Sequence, residues 1–315
     1  MRASSEAPFV GKGQASAEKE TVMASPLIAA VVGVRDEVEL IEKSIQHLRL
    51  VGVESIVVVD DSSSDGTERI LDSMSKAGQI ELLRTSGDLR KDMHYFLRGV
   101  ELARSRFSPA WILLQDADEF WLHSSGNLNE IVRDAKDDVL LADRFNACLS
   151  MQLERQIVDT DQPRFEEFDI FVQPLRLSRA IMDANPSIRW ISAKPVEKVI
   201  ARAEVIAAIS AGCHSVIGRD GNIVPSRRIE GAVIIHVPFS TEERFRRKIE
   251  NVKSLFDEDP ALFPGETGWH WRRWVEISQK GRLQTEFAHQ FLSQIDVDCL
   301  RREGVICCAH KYILK

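Results

Sequence analysis

The first part of the chain alternates apolar runs of strand length with stretches of helical periodicity. Strands are predicted over 27–34, 54–60 and 79–84, and a fourth begins at Trp111 as Trp-Ile-Leu-Leu. Helices are predicted between them, one with apolar positions Val38, Ile41, Ile45 and Leu48 that ends at Gly52, and two more over 67–77 and 92–104. Because strands and helices alternate at this spacing, the pattern predicts βαβ units on a parallel sheet.

After Trp121 the hydrophobic pattern is less regular. A helix is predicted over 128–135, and strands are predicted over 139–142, 192–200, 204–210 and 231–237. Residues 150–190 show no clear period, so we expect long loops and short antiparallel strands there, which would carry the specificity for the acceptor.

From Thr241 the sequence is helical. The predicted buried stripe of this helix is Phe245, Ile249, Val252 and Phe256, and the basic residues predicted to form its exposed face are Arg244, Arg246, Arg247, Lys248 and Lys253. Such a face fits peripheral contact with a membrane and, equally, an ordinary solvated helix. A last helix is predicted over 285–301, and the tryptophans over 269–274 are expected to pack the terminal helices rather than to stack on sugar rings.

These patterns divide the chain into three parts. Residues 1–24 are rich in Ser, Ala, Gly, Glu and Lys and lack the apolar run of a signal peptide, so a disordered head is expected. An α/β domain is predicted over 25–240, and a helical C-terminal extension is predicted over 241–315.

The composition narrows the class of partner. The 315 residues carry 48 acidic and 41 basic side chains, and the net charge of −7 argues against nucleic acid as a partner. No apolar run approaches the roughly 20 residues that a membrane-spanning helix needs, so no transmembrane segment is expected. The five cysteines are scattered without metal-type spacing, which favours reduced thiols and a cytoplasmic location.

Acidic residues follow three of the predicted strands. Residues 33–37 follow the first strand, the turn 60–67 follows the second, and Asp116-Ala-Asp118 follows the fourth. The carboxyl ends of parallel strands meet at one edge of a sheet, where open α/β sheets bind ligands. Asp116 and Asp118 offer hard oxygen ligands to Mg²⁺ or Mn²⁺. An isolated Asp-x-Asp is more often a solvated turn, and the other two elements favour the metal-site interpretation.

In this order and at this spacing, the three elements resemble the family-2-like glycosyltransferases of the GT-A fold. Those enzymes carry an Arg-Asn-Glu-like element, an Asp-Asp-x-Ser-x-Asp-Gly-Thr turn and an Asp-x-Asp-Glu-Phe motif after the corresponding strands. Residues 60–67 and 116–120 match almost residue for residue, whereas Asp36 stands where the family often has Asn. The resemblance covers roughly residues 26–122 and implies a Rossmann-like, mostly parallel central sheet flanked by helices.

The resemblance also implies a nucleotide-sugar donor of the UDP or GDP type. Gly33 and Arg35 would line the pocket for the base, and Asp61 would accept a hydrogen bond from a pyrimidine ring N–H. Asp116 would lie near the ribose and a metal-bound water, and Asp118 would ligate the metal. The other implied donor-binding positions are Glu37, Gln115 and, at the diphosphate, Arg90 or Lys91.

His236 ends an apolar run, and a helix that starts Thr241-Glu-Glu-Arg-Phe follows it, as in the relatives that the chain most resembles. The resemblance implies that His236 completes the metal site, and imidazole suits Mn²⁺ better than Mg²⁺. A structural hydrogen bond is the alternative role for this histidine. Lys194 and His214 are expected to contact the phosphates or the acceptor, with a structural role in a loop as the alternative.

Inversion at the anomeric carbon would require a carboxylate base near the acceptor hydroxyl. The usual acid pair of the family has no clean match downstream of Asp118. The candidates are Glu197, Asp143, Glu166 and Glu167. Glu197 is preferred because it lies near Lys194 and ahead of His214.

The sequence therefore predicts an inverting, metal-dependent glycosyltransferase that uses Mn²⁺ or Mg²⁺. A glycan or lipid-linked acceptor in surface polysaccharide or glycoconjugate synthesis is expected. Two alternatives are open. A sugar nucleotidyltransferase would need a Gly-rich, Lys-bearing phosphate loop, which residues 33–37 lack. A non-catalytic nucleotide-sugar-binding module would keep the fold without turnover.

Overall fold

An eight-stranded sheet with helices on both faces forms the centre of the structure, a computed structural model that describes residues 27–85, 94–258 and 268–314. The strands are β1 (Ile28–Val34), β2 (Ser55–Asp60), β3 (Glu81–Arg84), β4 (Trp111–Asp116), β5 (Glu119–His123), β6 (Val139–Asn146), β7 (Asp169–Phe171), β8 (Lys198–Arg202), β9 (Ala208–Ile209), β10 (Val216–Ile217), β11 (Ser226–His236) and β12 (Ile306–Cys308). The helices are α1 (Ile41–Leu50), α2 (Thr67–Lys76), α3 (His94–Phe107), α4 (Asn129–Arg133), α5 (Met151–Val158), α6 (Arg179–Ala184), α7 (Glu242–Glu258), α8 (Trp269–Gln279), α9 (Leu283–Gln290), α10 (Gln294–Arg302) and α11 (Ala309–Ile313). The predicted head, residues 1–24, lies outside the described residues.

The strand order of the sheet is β3-β2-β1-β4-β8-β6-β11-β5. The first four of these strands are parallel, as the sequence predicts for its βαβ units. Strand β8 runs antiparallel to both β4 and β6, β11 is parallel to β6, and β5 closes the edge antiparallel to β11. The predicted α/β fold with a mostly parallel central sheet flanked by helices is confirmed.

The apolar strands are explained by burial on both faces of the sheet. Along β1, Ala30 and Val32 face a core that includes side chains of α1 and α2, whereas Ala29 and Val31 face a core that includes α3. A parallel strand that is covered on both sides must be apolar at every position.

The helices that follow residue 240 pack on the far half of the sheet. Phe245 of α7, Trp274 of α8 and Phe287 of α9 share one buried cluster with Phe120 of β5 and Ile235 of β11. The helical extension predicted over 241–315 therefore lies against the strands that end the sheet. None of the helices in the described ranges combines the length and the apolar character needed to cross a membrane.

The hydrophobic pattern misses one strand and gives two wrong predictions. It misses β5, because only three apolar residues, 120–122, follow the acidic turn before the chain becomes polar again. The region 150–190 contains the helices α5 and α6 beside the single strand β7. The last helix is two helices, because Ser293 and Asp296 form a capping box that starts α10, with each backbone N–H donating to the other side chain.

Gly99→Ala tests how α3 packs on the sheet. A Cβ at Gly99 would lie 2.5 Å from Cγ1 of Val31 and 2.7 Å from Cγ2 of Val59. Alanine ordinarily stabilises a helix relative to glycine. Here overpacking dominates, so we expect urea unfolding to show a loss of about 1–3 kcal/mol in the free energy of unfolding. The control is Arg98→Ala, at an exposed position of the same helix, which should change that free energy by less than about 0.5 kcal/mol. A Gly99→Ala variant as stable as the parent would contradict this packing.

Candidate active site

The carboxyl ends of β1, β2 and β4 lie side by side. In the parallel register of the sheet, Gly33 of β1 lies opposite Asp116 of β4. The N–H of Asp61 donates to the carbonyl of Val34 (2.9 Å), beyond the end of β2. The N–H of Ala117 donates to the carbonyl of Gly33 (3.2 Å) in the same way beyond β4. The acids that follow the three strands are therefore held at one edge of the sheet, which we call the acidic edge (residues 35–39, 60–67 and 116–119).

The loop after β1 and the turn after β2 hold each other in place. Backbone N–H groups of the loop donate to side chains of the turn, Asp36 to Ser63 (2.9 Å), Glu37 to Thr67 (2.9 Å) and Val38 to Asp65 (3.1 Å). Asp36 has a φ of 54°, in the left-handed region that Asp and Asn tolerate better than most residues. Its carboxylate accepts hydrogen bonds from the N–H of Ser64 and the amide of Asn251, both at 2.7 Å. Asp36 is therefore a structural centre of the acidic edge.

Asp61 and Arg35 form one candidate binding position. The buried carboxylate of Asp61 accepts a hydrogen bond from the Thr85 hydroxyl (2.9 Å) and lies 3.8 Å from Nη1 of Arg35. Burial raises the pKa of Asp61, and Thr85 and Arg35 partly oppose this rise. The Nε and Nη1 atoms of Arg35 are buried without a hydrogen-bond partner among the described residues. A carboxylate acceptor beside unsatisfied donors suits an N–H and C=O pair on a nucleobase.

Asp116 is the more accessible carboxylate of the Asp-x-Asp motif. Its side chain is 41% exposed, and the buried Lys198 ammonium lies 2.7 Å from Oδ2. The same ammonium lies 3.2 Å from Glu119, which is also paired with Arg144. Burial by itself lowers the pKa of Lys198, but Asp116 and Glu119 outweigh burial and raise it. The charged Lys198 therefore fixes Asp116 at the open side of the acidic edge.

Asp118 is tied to the end of β11. The N–H of Val237 donates to the carbonyl of Asp118 (2.9 Å), and Nε2 of His236 lies 3.7 Å from Oδ2 of Asp118. Burial lowers the pKa of His236, although Asp118 opposes this effect. The imidazole is therefore neutral at neutral pH.

The hydrogen bonds around Asn146 fix the tautomer of His236. The amide nitrogen of Asn146 donates to the carbonyls of Ile191 (3.0 Å) and Ala193 (3.1 Å). Its Oδ1 therefore accepts from Nδ1 of His236, at 2.7 Å. Because Nδ1 carries the proton, Nε2 carries the lone pair and faces Asp118. Fixing one ring nitrogen so that the other is free is how metal-binding histidines are oriented.

Two cations from α7 compensate the buried carboxylates of Glu37 and Asp118. Arg244, which is fully buried, donates to both oxygens of Glu37 (2.5 and 3.0 Å) and to Oδ2 of Asp118 (3.1 Å). Nζ of Lys248 lies 2.5 Å from Oδ2 of Asp118 and 2.9 Å from Oε1 of Glu37. Burial alone raises the pKa of Asp118, but Lys248 and the other neighbouring cations outweigh burial and hold this pKa well below its usual range.

The prediction that the basic residues of α7 form an exposed face is wrong for three of them. Arg244 is buried, and the side chains of Lys248 and Arg247 are only 19% and 15% exposed. Nε of Arg247 lies 3.2 Å from Asp65 at the acidic edge. These residues turn inward because the carboxylates at this edge require positive charge. Of the five basic residues predicted to form the exposed face, Arg246 and Lys253 remain exposed.

The chemistry of Asp118 and His236 fits a divalent metal ion. A carboxylate oxygen and a neutral imidazole nitrogen with a directed lone pair are ligands that Mn²⁺ accepts. No group of three or more His, Cys, Asp or Glu residues comes together as a metal site within the described ranges. Asp118 and His236 are therefore the two residues whose positions would let them hold a metal ion together. The predicted metal role of Asp116 stays a prediction.

The predicted bases Glu197 and Asp143 share one arginine. Arg228 lies 3.2 Å from Oε1 of Glu197 and also pairs with Asp143. Nζ of Lys194 lies 3.3 Å from the same oxygen of Glu197. Burial raises the pKa of Glu197, but its own backbone N–H and Lys194 outweigh burial and lower it. A general base works best with a pKa near the operating pH, so this environment does not favour Glu197 as the base.

Gly33 and Gln115 have structural explanations. A Cβ at Gly33 would lie 2.5 Å from Cζ of Phe96, so the packing of α3 requires glycine at this position. Gln115 is buried, and its amide nitrogen donates to the hydroxyl of Ser44 on α1 (3.0 Å). The structure therefore does not bring the Gln115 side chain to the acidic edge. The two predicted diphosphate contacts, Arg90 and Lys91, lie outside the described residues.

Two further histidines are held neutral by their surroundings. Burial, with Lys198 nearby, lowers the pKa of His214 to about 4, and Nδ1 of His214 lies 2.7 Å from the carbonyl of Glu197. A neutral His214 brings no positive charge to a phosphate, which favours its structural alternative. Burial also lowers the pKa of His270 to about 3, and its ring stacks on Trp190 with centroids 5.1 Å apart. Trp274 is fully buried, in line with the packing role expected for the tryptophan cluster.

The sequence interpretation missed the basic residues that complete this site. Lys198 was inside a predicted strand, where a lysine in an apolar run is itself a signal of a buried ion pair. Arg244 and Lys248 are four residues apart and adjoin the apolar positions Phe245 and Ile249, so the helical period places them beside the buried stripe. The sequence around Asn146 does not indicate its role, because that role comes only from the parallel register with His236.

Arg244→Ala tests whether Arg244 compensates the buried negative charges of Glu37 and Asp118. The substitution leaves Glu37 and Asp118 buried without the guanidinium, so we expect urea unfolding to show a loss of about 3–5 kcal/mol in the free energy of unfolding. The control is Arg246→Ala, on the exposed side of α7, where the arginine pairs with Glu243 and Glu250. It should change stability far less, since exposed ion pairs contribute little. Equal losses in the two variants would contradict the assigned role of Arg244.

His270→Phe tests the buried imidazole. Below its ordinary pKa of 6.5 the unfolded chain binds a proton at His270, whereas the folded chain does not until about pH 3. The unfolded state therefore binds more protons, and stability falls as the pH falls through this window. We expect His270→Phe to flatten the dependence of the unfolding free energy on pH by about 1.4 kcal/mol per pH unit between roughly pH 6 and 4.

The measurement is urea unfolding at several pH values. Trp271→Phe is the control, because it changes a ring beside His270, with centroids 5.0 Å apart, and removes no titrating group. The pH dependence of this control should match that of the parent. An unchanged slope in His270→Phe would show that the imidazole is not held neutral by the fold.

Comparison with protein-family models matches residues 30–200 to the family described as glycosyl transferase family 2. Comparison of the sequence with curated proteins finds no match.

Solved structures similar to the chain include S. aureus TarS 1-349 in complex with UDP, with 13% sequence identity, a TM-score of 0.34, and coverage of 56% of this chain and 47% of that one. The chain thus spans about half the length of that structure. Another is glucosyl-3-phosphoglycerate synthase from Mycobacterium tuberculosis with Mn²⁺, UDP and glucosyl-3-phosphoglycerate (16% identity, TM-score 0.33, coverage 79% and 86%). A third is a cytidylyltransferase from Leptospira borgpetersenii (10% identity, TM-score 0.26, coverage 37% and 54%).

The family match spans more than half of the chain, from β1 into β8. It includes the acids at the carboxyl ends of β1, β2 and β4, whose sequence pattern first indicated the resemblance. The chain belongs to glycosyl transferase family 2.

Proposed function

We propose that this chain transfers a glycosyl group from a nucleoside-diphosphate sugar to a hydroxyl group, with Mn²⁺ or Mg²⁺ at Asp118 and His236. The observation that carries the proposal is the orientation of His236, because Asn146 holds Nδ1 of the imidazole and Nε2 faces Asp118 at 3.7 Å. This arrangement lies at the end of the sheet where family members carry their Asp-x-Asp motif.

Asp61 and Arg35 are proposed to select the base. Uracil and guanine each present a ring N–H beside a carbonyl oxygen. The Asp61 carboxylate accepts from the N–H. The buried Nε and Nη1 groups of Arg35, which have no hydrogen-bond partner among the described residues, donate to the carbonyl. Cytosine has no N–H at the corresponding ring position. The proposed donor is therefore of the UDP or GDP type.

The transfer breaks the bond between the anomeric carbon and the oxygen of the β-phosphate. The electron pair leaves with the nucleoside diphosphate, the acceptor oxygen bonds to the anomeric carbon, and the hydroxyl proton passes to a carboxylate. When bound, a divalent ion stabilises the charge on the leaving diphosphate. Lys248 and Lys198 add positive charge at the acidic edge, and Lys198 holds Asp116 in position. Inversion, and the base itself among Glu197 and Asp143, stay predictions.

The loop after β1 argues against nucleotidyl transfer. A phosphate cradle needs free backbone N–H groups at this point of the fold. The N–H groups of Asp36, Glu37 and Val38 are taken by side chains of the turn after β2. The proposed acceptor is a hydroxyl of a glycan or of a lipid-linked saccharide, as in surface polysaccharide or glycoconjugate synthesis.

Asp61→Asn tests base recognition. The variant keeps the shape of the side chain but loses the charged acceptor, so we expect its affinity for UDP in the presence of Mn²⁺ to fall about tenfold or more in calorimetric titrations. Asp72→Asn is the control, because the Asp72 carboxylate is 46% exposed on α2 and pairs with Arg84 (3.0 Å). UDP or GDP should bind more tightly than CDP. Equal binding of UDP by both variants, or preference for CDP, would contradict the assignment of Asp61.

Turnover is measured separately as release of the nucleoside diphosphate from UDP-sugars and GDP-sugars, with and without acceptor glycans. We expect Mn²⁺ to stimulate release by the parent chain and not by Asp118→Asn. Nucleotide binding without release from any donor would identify a non-catalytic binding module instead.

A further inference from the structure

Besides Nη2 of Arg244 (3.1 Å), two further groups approach Oδ2 of Asp118, and they come from different elements. Nε2 of His236 on β11 lies 3.7 Å from Oδ2, and Nζ of Lys248 on α7 lies 2.5 Å from the same atom. The other carboxylate contact of Lys248 is Oε1 of Glu37, at 2.9 Å. The lysine ammonium therefore stands at the oxygen that a metal bound to Asp118 and His236 would use.

Lys248 and Arg244 differ in how firmly they are held. Arg244 is fully buried and donates to Glu37, to Asp118 and to the carbonyl of Val237 (2.8 Å). The Lys248 side chain is 19% exposed, and its ammonium is a point charge on a flexible stem. Of the two cations, Lys248 is the one that can leave its position without unpacking α7.

The balance of charge among these side chains also favours an exchange between Lys248 and a metal ion. Two carboxylates, Glu37 and Asp118, face two cations, Arg244 and Lys248, so the group is balanced without a metal. A divalent ion added beside both cations would be repelled by them at short range, where charges interact strongly in a partly buried site. Moving the ammonium of Lys248 away removes one of these charges and leaves Arg244 as the remaining cation at Oδ2.

We propose that Lys248 occupies the metal position in the ligand-free enzyme and competes with the divalent ion for Oδ2 of Asp118. This inference rests on the proposed metal site at Asp118 and His236. A diphosphate that enters together with the metal gives the displaced ammonium a new anionic partner. The metal alone therefore binds weakly, the metal and the nucleoside diphosphate strengthen each other's binding, and this coupling is reciprocal.

The first test measures the affinity for Mn²⁺ alone by electron paramagnetic resonance of the free ion. We expect Lys248→Met to bind Mn²⁺ about tenfold or more tightly than the parent, since close buried charge pairs couple by at least the free energy of a tenfold change. Lys248→Arg retains the positive charge and should bind Mn²⁺ as weakly as the parent. Lys253→Met, whose lysine pairs with Asp257 on the exposed side of α7, is the control and should also match the parent.

The second test uses the unaltered chain, so it does not depend on how a variant folds. An amine-reactive label is applied with and without Mn²⁺, and the modification of each lysine is quantified by mass spectrometry. Displacement by the metal should raise the labelling of Lys248 severalfold and leave that of Lys253 unchanged.

Equal or weaker Mn²⁺ binding by Lys248→Met, no Mn²⁺ binding by either chain, or unchanged labelling of Lys248 would each overturn the inference. These results do not bear on nucleotide binding at Asp61 or on sugar transfer, although absent Mn²⁺ binding would also remove the proposed metal site. A chain that binds UDP and releases it from a donor without a metal would thus keep the proposed sugar transfer and lose both the metal site and this inference. Failure of the glycosyltransferase proposal would instead appear as absent nucleotide binding and absent turnover.

Discussion

The structure depends on the compensation of two buried carboxylates. Glu37 follows β1 and Asp118 follows β4, and neither could stay charged inside the protein without nearby cations. Arg244 and Lys248 supply these charges from α7, which fixes that helix across the end of the sheet. The apolar stripe of the same helix then packs on the core beneath β5 and β11. One side of α7 thus covers the acidic edge, and another side packs on the core at the far half of the sheet.

The sheet supplies the rigidity that this edge needs. The strands β1, β2 and β4 are buried on both faces of the sheet and end side by side. Backbone hydrogen bonds continue one residue further, from Asp61 to Val34 and from Ala117 to Gly33. The side chains at the ends are then positioned by short local bonds, such as those of Asp36, rather than by long flexible loops. His236 is placed by register alone, since it pairs with Glu119 on one side and Asn146 on the other.

The sequence was sufficient to predict the parallel half of the sheet and the acidic edge. Strands β1, β2 and β4 are apolar runs with a clear period, and Asp61, Asp116 and Asp118 follow them directly. The partners of these acids were not predictable in the same way, because pairing across the fold leaves no periodic signal. The sequence predicts a solvated side for α7 where the structure has a buried one, since Arg244 and Lys248 carry the charge that exposed helices usually show. Gln115 and Asp116 are neighbours on β4, but their side chains lie on opposite faces of the strand. The Asp-x-Asp motif does not indicate which face Gln115 occupies.

The separation of Glu37 and Arg244 along the chain has a consequence for how the protein is made. These residues are 207 positions apart, and the family match, residues 30–200, ends before α7 begins. During synthesis the N-terminal strands leave the ribosome long before the helix that neutralises their acids. Contacts between distant segments form late and slowly in folding. The acidic edge is therefore among the last parts of the molecule to assemble, and until then its carboxylates stay hydrated, which keeps the emerging chain charged and soluble.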